Sequence, residues 1–263
     1  MAIKDSLGDR MKENYEIPST HYLTKKVPMV IRVDGKSFSH FCKRFERPYD
    51  ETLNSALNGV MQKLCTQIQG VKLAQRHSDE ISFVITDYDK ITTDSFFEYN
   101  ISKICSVVAS MATAEFCRLL GAKNAPFTSY LYMDEDWPTF DCRCFNIPES
   151  DIPNNIWWRN LDSVRNSINM LAQSKFPHKE LQGKTNSEMQ EMLFSKFGIN
   201  WNDIPQAQKT GFICIREKVI KPIEKGPNKG VEFERNIWTV TPAPHKKENL
   251  DLLVKKSLNN KGL

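Results

Sequence analysis

Between residues 29 and 145, short β-branched runs alternate with two long helical stripes. That alternation constrains the fold more than any other feature of the chain. Val30-Ile31-Arg32-Val33 reads as a strand over residues 29 to 33 that stops at Asp34-Gly35. Pro48 and Asp50 announce a helix, and Leu53, Leu57, Val60, Met61, Leu64 and Ile68 then recur at helical spacing until Gly70. Residues 71 to 75 and 81 to 85 read as two strands, joined through Arg76-His77-Ser78-Asp79-Glu80 as a hairpin. A helix is expected from about Thr93 to Leu120, closed by Gly121, and a further strand over residues 140 to 145. The order is β-α-β-β-α-β, an α+β, ferredoxin-like arrangement. In such a sheet the first and third strands are central neighbours. The end of the first strand then meets the hairpin between the second and third, and Asp34 and Asp79 are expected to converge at one sheet edge.

The second half has a different texture. Residues 158 to 175 read as a helix with Leu161, Val164, Ile168 and Leu171 inward. Thr185-x-x-Glu188 is a capping-box pattern opening a helix through Phe197. Residues 211 to 217 and 231 to 240 suit a hairpin whose loop carries Lys218, Lys221, Lys225 and Lys229, and the tail from Thr241 reads as loosely held. The expected division is a catalytic unit over 1–145 and a unit of helices and hairpin over 146–263, packed as one body.

Composition excludes little but helps. At 40% hydrophobic and 26% charged, 263 residues suffice for a sizeable core. No apolar run approaches the roughly 18 residues that span a bilayer, and no signal-peptide core opens the chain. A cytoplasmic protein without a membrane partner is expected. Seven cysteines without a C-x-x-C pair argue for packed thiols rather than zinc or disulfides. A net charge of +4 permits a nucleic-acid partner without requiring one.

The two acids carry the chemistry on offer. Asp-Gly and Ser-Asp are good turn pairs, which accounts for each acid alone. Paired carboxylates at one sheet edge also suit Mg²⁺, which takes oxygen ligands and keeps sites for phosphates. Gly35 would let its carbonyl and neighbouring amides approach a metal or phosphate. Both readings stand at this point. Gly183-Lys184-Thr185 is not a phosphate loop, because the position five residues before the glycine is His178 and no strand precedes it. Arg159 and Arg165, with Asn166, could touch an RNA backbone, but from the pattern alone a salt-bridged helix surface is the preferred reading.

The blocks IRVDGKSFSHF, HSDEISFVI, FDCRCFNIP, WWRNLDSVRNSINMLAQ and LQGKTNSEMQEMLFSKFGINWNDIP, in this order, resemble the tRNA-histidine guanylyltransferase family. That family includes guanylyltransferase-like polymerases that extend RNA in the 3′-to-5′ direction. The resemblance runs from about Val30 to Glu217. It implies a polymerase-palm fold and nucleotidyl transfer with two Mg²⁺ ions, using GTP and ATP. It assigns the metals to Asp34, Asp79 and the Gly35 carbonyl, with Glu80 completing the acidic motif. Asp34, Gly35, Lys36, Ser37, Phe38 and Ser39, with Ser78 and Asp79, would cradle the nucleotide. Arg47 and Lys103 match basic positions near the triphosphate, and Arg143 matches an Arg on the RNA side. A homo-oligomer, a tetramer, with tRNA spanning subunits is implied as well.

The chain departs from the family pattern at informative places. Members that add one guanosine to tRNA-histidine carry His-Ile-Asn-Asn where this chain has Val164-Arg165-Asn166-Ser167. That points to the polymerase-like branch and to templated addition on 5′-truncated tRNA. Strict single-guanosine addition is the alternative, and a nucleotidyl cyclase, which uses a similar palm, a more distant one. Lys36 and Ser39 stand where the family has Arg and His.

Overall fold

The computed structural model describes residues 6–123, 137–222 and 230–259. Lys225 and Lys229 of the basic loop lie outside them. The described residues form one six-stranded antiparallel sheet in the order β4-β1-β3-β2-β5-β6. The strands are β1 (Met29–Lys36), β2 (Val71–His77), β3 (Glu80–Ile85), β4 (Thr139–Asn146), β5 (Phe212–Pro222) and β6 (Glu232–Pro242). Among the described residues the five longest helices are α1 (Glu51–Gln67), α2 (Ile101–Lys123), α3 (Ile152–Gln173), α4 (Asn186–Phe197) and α5 (Lys247–Asn259). The expected neighbours, first and third strands, pair from Met29↔Ile85 to Val33↔Ile81.

Alternation along β1 explains the layers. Met29, Ile31 and Val33 face a core shared with α1 and α2, whereas Val30 faces a second core with Ile152 and Ile156 of α3 and Leu250 and Val254 of α5. A strand covered on both faces reads as a continuous apolar run, which is why VIRV stands out in sequence. In α1 the apolar stripe is buried as expected, and Asp50 caps the helix, its carboxylate accepting the Leu53 amide at 2.8 Å.

Several boundaries differ from expectation, each for a tertiary reason. β1 runs on through Asp34-Gly35 to Lys36, because β4 pairs with it out to Lys36↔Thr139. The β2–β3 hairpin closes at His77↔Glu80, so only Ser78 and Asp79 form the turn. α2 begins at Ile101 rather than Thr93, since Phe97, Glu98 and Tyr99 hold left-handed backbone angles before it. By length and mean hydropathy (1.4) Ile101–Gly121 could cross a membrane, contrary to the sequence expectation. Its Ile104, Val108, Ala112, Phe116 and Leu120 are packed in the first core instead. α3 starts six residues before Trp158, because Ile152 and Ile156 are needed to fill the second core. The tail after Thr241 is not loose, since α5 buries Leu250 and Val254 there. Strands β5 and β6 join the sheet built by the first half through β2, so one sheet runs through both expected units.

Candidate active site

The acids meet at the edge where β1 ends and the β2–β3 turn begins. A Cβ added to Gly35 would stand 2.7 Å from Asp79 Oδ2 and 2.3 Å from Phe38 Cδ2. Only glycine lets Asp79 lie this close against β1. Burial raises the Asp34 carboxyl above its ordinary range, and the negative charges of Asp79, Glu80 and Asp141 raise it further. Burial likewise raises Asp79, partly offset by the Ser78 hydroxyl, which donates to Oδ1 at 2.8 Å. Two half-desolvated carboxylates brought together are costly alone and favourable around a divalent cation. Among the described residues no group of three or more His, Cys, Asp or Glu side chains is gathered to hold a metal. The two acids offer oxygen donors alone, the type that Mg²⁺ takes while keeping sites for water and phosphate.

The pair opens on a cleft of about 990 Å³ lined by Gly35, Ser37, Ser39, Arg47, Asn58, Ser78 and, from α3, Asn166. This is the upper end of the size range for small-molecule sites. Ser37 and Ser78 both hold left-handed backbones, φ 55° and 49°. Such angles are uncommon outside glycine and cluster at functional sites. Phe38 lines the cleft from below. Its ring packs on Phe41, Phe116 and Phe140 at 5.0–5.4 Å, so it braces the loop from the core. Lys36 is exposed at the strand end and is not among the lining residues.

Glu80 is the neighbour of Asp79 in sequence but is committed elsewhere. Arg159 reaches it from α3, Nε to Oε1 at 2.7 Å and Nη2 to Oε2 at 2.6 Å, and Arg32 approaches at 3.3 Å. His77 Nε2 lies 3.2 Å from Oε1. Burial would raise the Glu80 carboxyl, but the His77 hydrogen bond and the charges around it prevail and hold it at about 2. Both oxygens are therefore occupied by cationic or polar partners. The RNA-side expectation for Arg159 is corrected by its position: the residue is 7% exposed and tied to Glu80 and Asp162. The salt-bridged alternative holds, although inside the protein rather than on its surface.

The other expected residues divide. Arg143 lies opposite Arg32 in the β1–β4 register, on the same sheet face as Asp34, with an exposed ion pair to Asp141 at 2.9 Å. Arg165 is exposed and paired with Asp162. Lys103 is not brought to the cleft. It sits in the first turn of α2, 5.1 Å from the Phe97 ring, in a separate depression with Tyr22 and Lys25. Sequence reasoning missed Arg76, Asn54 and Asn58, which lie together beneath the turn. The i, i+4 spacing of the two asparagines on a strong helix was the available signal.

Paired acids at a sheet edge, opening on a cleft of hydroxyl, backbone and cationic groups, define the architecture of an enzyme that transfers phosphoryl-linked groups. The comparisons specify which. A family model described as tRNAHis guanylyltransferase matches residues 8–148, and one described as the Thg1 C terminal domain matches residues 137–254. The chain belongs to the tRNA-histidine guanylyltransferase family and is an enzyme of that nucleotidyltransferase type. The tRNA(His) guanylyltransferase of Schizosaccharomyces pombe is 32% identical over 205 residues, 73% of this chain and 74% of that one. The probable tRNA(His) guanylyltransferase of Dictyostelium discoideum is 29% identical over 214 residues, 75% of this chain and 78% of that one. Among solved structures, a bacterial tRNA(His) guanylyltransferase (Thg1)-like protein in complex with ATP superposes with TM-score 0.81 at 37% identity, covering 95% of this chain and 98% of that one. A bacterial Thg1-like protein in complex with GTP gives 0.76 at 34% identity, covering 96% and 99%.

Proposed function

We propose that this enzyme adds nucleotides to the 5′ end of tRNA in the 3′-to-5′ direction, directed by the opposing strand, with 5′-truncated tRNA as substrate. The observation that carries the chemistry is the Asp34–Asp79 pair over the cleft. The branch rests on Val164-Arg165-Asn166-Ser167, a motif without histidine whose Asn166 lines the cleft. The bacterial neighbours described with ATP and with GTP support triphosphate substrates.

In this reading the β4-β1-β3-β2 core is a ferredoxin-like polymerase palm. Asp34, Asp79 and the Gly35 carbonyl would hold two Mg²⁺ ions, which when bound would supply Lewis acidity and neutralise phosphate charge. The backbone from Gly35 to Ser39 and the Ser78 turn cradle the triphosphate, and Arg47 adds positive charge at the cleft mouth. Glu80 acts through its ion pairs, fixing the strand end that carries Asp79. Asn166, Arg165 and Arg143 face the RNA. The RNA 5′-monophosphate first attacks the α-phosphorus of ATP, releasing pyrophosphate and leaving an adenylylated end. The 3′-hydroxyl of the incoming nucleotide then attacks the RNA's own 5′ phosphorus, and AMP departs. A homotetramer acting in the cytoplasm completes the proposal.

The test is a paired extension assay. One substrate is a tRNA lacking its first nucleotide, with each base in turn opposite the gap. The other is full-length tRNA-histidine with a 5′-monophosphate. Extension of the truncated tRNA that follows the opposing base is the expected result. A single guanosine added to full-length tRNA-histidine alone would overturn it in favour of the maturation reaction.

A further inference from the structure

We propose that Arg76 is a positioning residue, a buried clamp that holds the Ser78-Asp79 turn so that Asp79 faces Asp34 across Gly35. The inference rests on the reading of those two acids as the metal-holding pair.

Arg76 is a large side chain placed where a cation is expensive. It lies in β2, paired on one side with Ile81 of β3 and on the other with Phe212 of β5, and only 1% of it is exposed. Among the described residues no carboxylate forms a hydrogen bond to it. Instead Nε donates to Asn58 Oδ1 at 2.8 Å, Nη2 to Asn54 Oδ1 at 3.0 Å and Nη1 to the Ser78 carbonyl at 2.6 Å. Its guanidinium also lies 4.8 Å from the centre of the Phe212 ring. Its hydrogen bonds all go to neutral groups, and the nearby Asp79 charge only partly offsets the burial that disfavours the cation. What the fork does is geometric. Two arms anchor it to α1 and the third reaches into the turn.

The turn needs that anchor. Ser78 is a left-handed non-glycine residue at φ 49°, a backbone that relaxes unless its surroundings hold it. Its carbonyl is the group Arg76 holds, and its hydroxyl donates to Asp79 Oδ1. Asp79 Oδ2 is packed against Gly35. Arg76 thus acts on the carboxylate through one residue: guanidinium, Ser78 peptide, Asp79. Gly211 packs against the backbone of β2 at this point, since a Cβ there would stand 2.2 Å from the Arg76 carbonyl oxygen. A planar five-donor fork can span helix and turn at once, which a lysine cannot.

The experiment compares wild type, Arg76→Met and Arg76→Lys by Mn²⁺ binding in electron paramagnetic resonance. The same proteins are assayed for nucleotide addition as Mg²⁺ is varied at saturating tRNA. Loss of an outer-shell partner weakens metal affinity or activity by about 10–100-fold. Arg76→Met is expected to weaken Mn²⁺ binding and raise the half-saturating Mg²⁺ by about tenfold, with tRNA affinity unchanged. Arg76→Lys should recover only part of this. A folded Arg76→Met with wild-type Mn²⁺ affinity and Mg²⁺ dependence would overturn the clamp and leave a purely structural role. Should Arg76→Met not fold, Asn58→Ala, which removes one anchor, is read the same way with an expected shift of about threefold, and no shift refutes the clamp. Asp79→Asn serves as the control for the underlying reading: unaltered Mn²⁺ binding in that variant would sink the metal pair itself.

Discussion

Two buried arginines flank one two-residue turn and differ in almost everything else. Arg159 comes from α3 and meets carboxylates, Glu80 and Asp162. Arg76 comes from the neighbouring strand and meets amides and a carbonyl. The first neutralises charge on the sheet face covered by α3. The second spends its charge on orientation. A buried ion pair is costly to break because the remaining partner stays charged and dry, whereas a cation satisfied by neutral acceptors leaves only unmade hydrogen bonds when removed. The same side chain therefore serves stability on one face and geometry on the other.

The largest effect should come from the charged side. Glu80→Gln leaves Arg32 and Arg159 facing a neutral group and is expected to cost about 3–5 kcal/mol in urea unfolding. Because the Glu80 pKa is held at about 2, below its ordinary 4.5, its contribution is complete above the unfolded value. It drains away as the pH falls from there toward 2. The variant's stability profile should lack that acid limb, and a variant as acid-sensitive as wild type would break the comparison. Arg76→Met should cost less, about 1–3 kcal/mol for its unsatisfied acceptors. A loss larger than that of Glu80→Gln would erase the distinction drawn between the two arginines.

Asp34 tests the opposite sign. Its pKa is raised by burial and by the surrounding acids, so the folded protein disfavours its ionised form. That penalty is present at neutral pH and vanishes as the pH falls below the titration of Asp34 in both states. Asp34→Asn is expected to abolish nucleotide addition while raising stability by about 1 kcal/mol, or roughly 2–4 °C in Tm. Mg²⁺ should then stabilise wild type and not the variant. A lower Tm at neutral pH would show that the acid pair carries no strain. Smallest of all, Lys218→Ala removes an exposed pair with Glu234 on the outer β5–β6 hairpin. A change within about 0.5 kcal/mol is expected there by denaturant titration, which sets the scale against which the buried pairs are judged.

Much of this was legible in the chain. The apolar stripe of α1, the β-branched runs and the capping box at Thr185 are local patterns, and each folds as its spacing requires. Because the order of those elements limits how one sheet can be wound, the meeting of Asp34 with Asp79 followed as well. The misread boundaries share a cause. Asp34-Gly35 reads as a strand end, yet β4 supplies partners beyond it. Residues 76 to 80 read as the hairpin connection between two strands, yet pairing reaches His77↔Glu80 and Arg76 lies in the interior.

Asp79 and Glu80 state the division most sharply. The sequence by itself determined that two adjacent acids would stand beside Asp34 at a sheet edge, because hydrophobic period and element order are local and cumulative. That Asp79 would be the one to face Asp34 was expected from the sequence, whereas the capture of Glu80 in a buried ion pair was decided only in three dimensions. The partner that commits Glu80, Arg159, lies 79 residues away, and it takes the acid on its own side of the pleat.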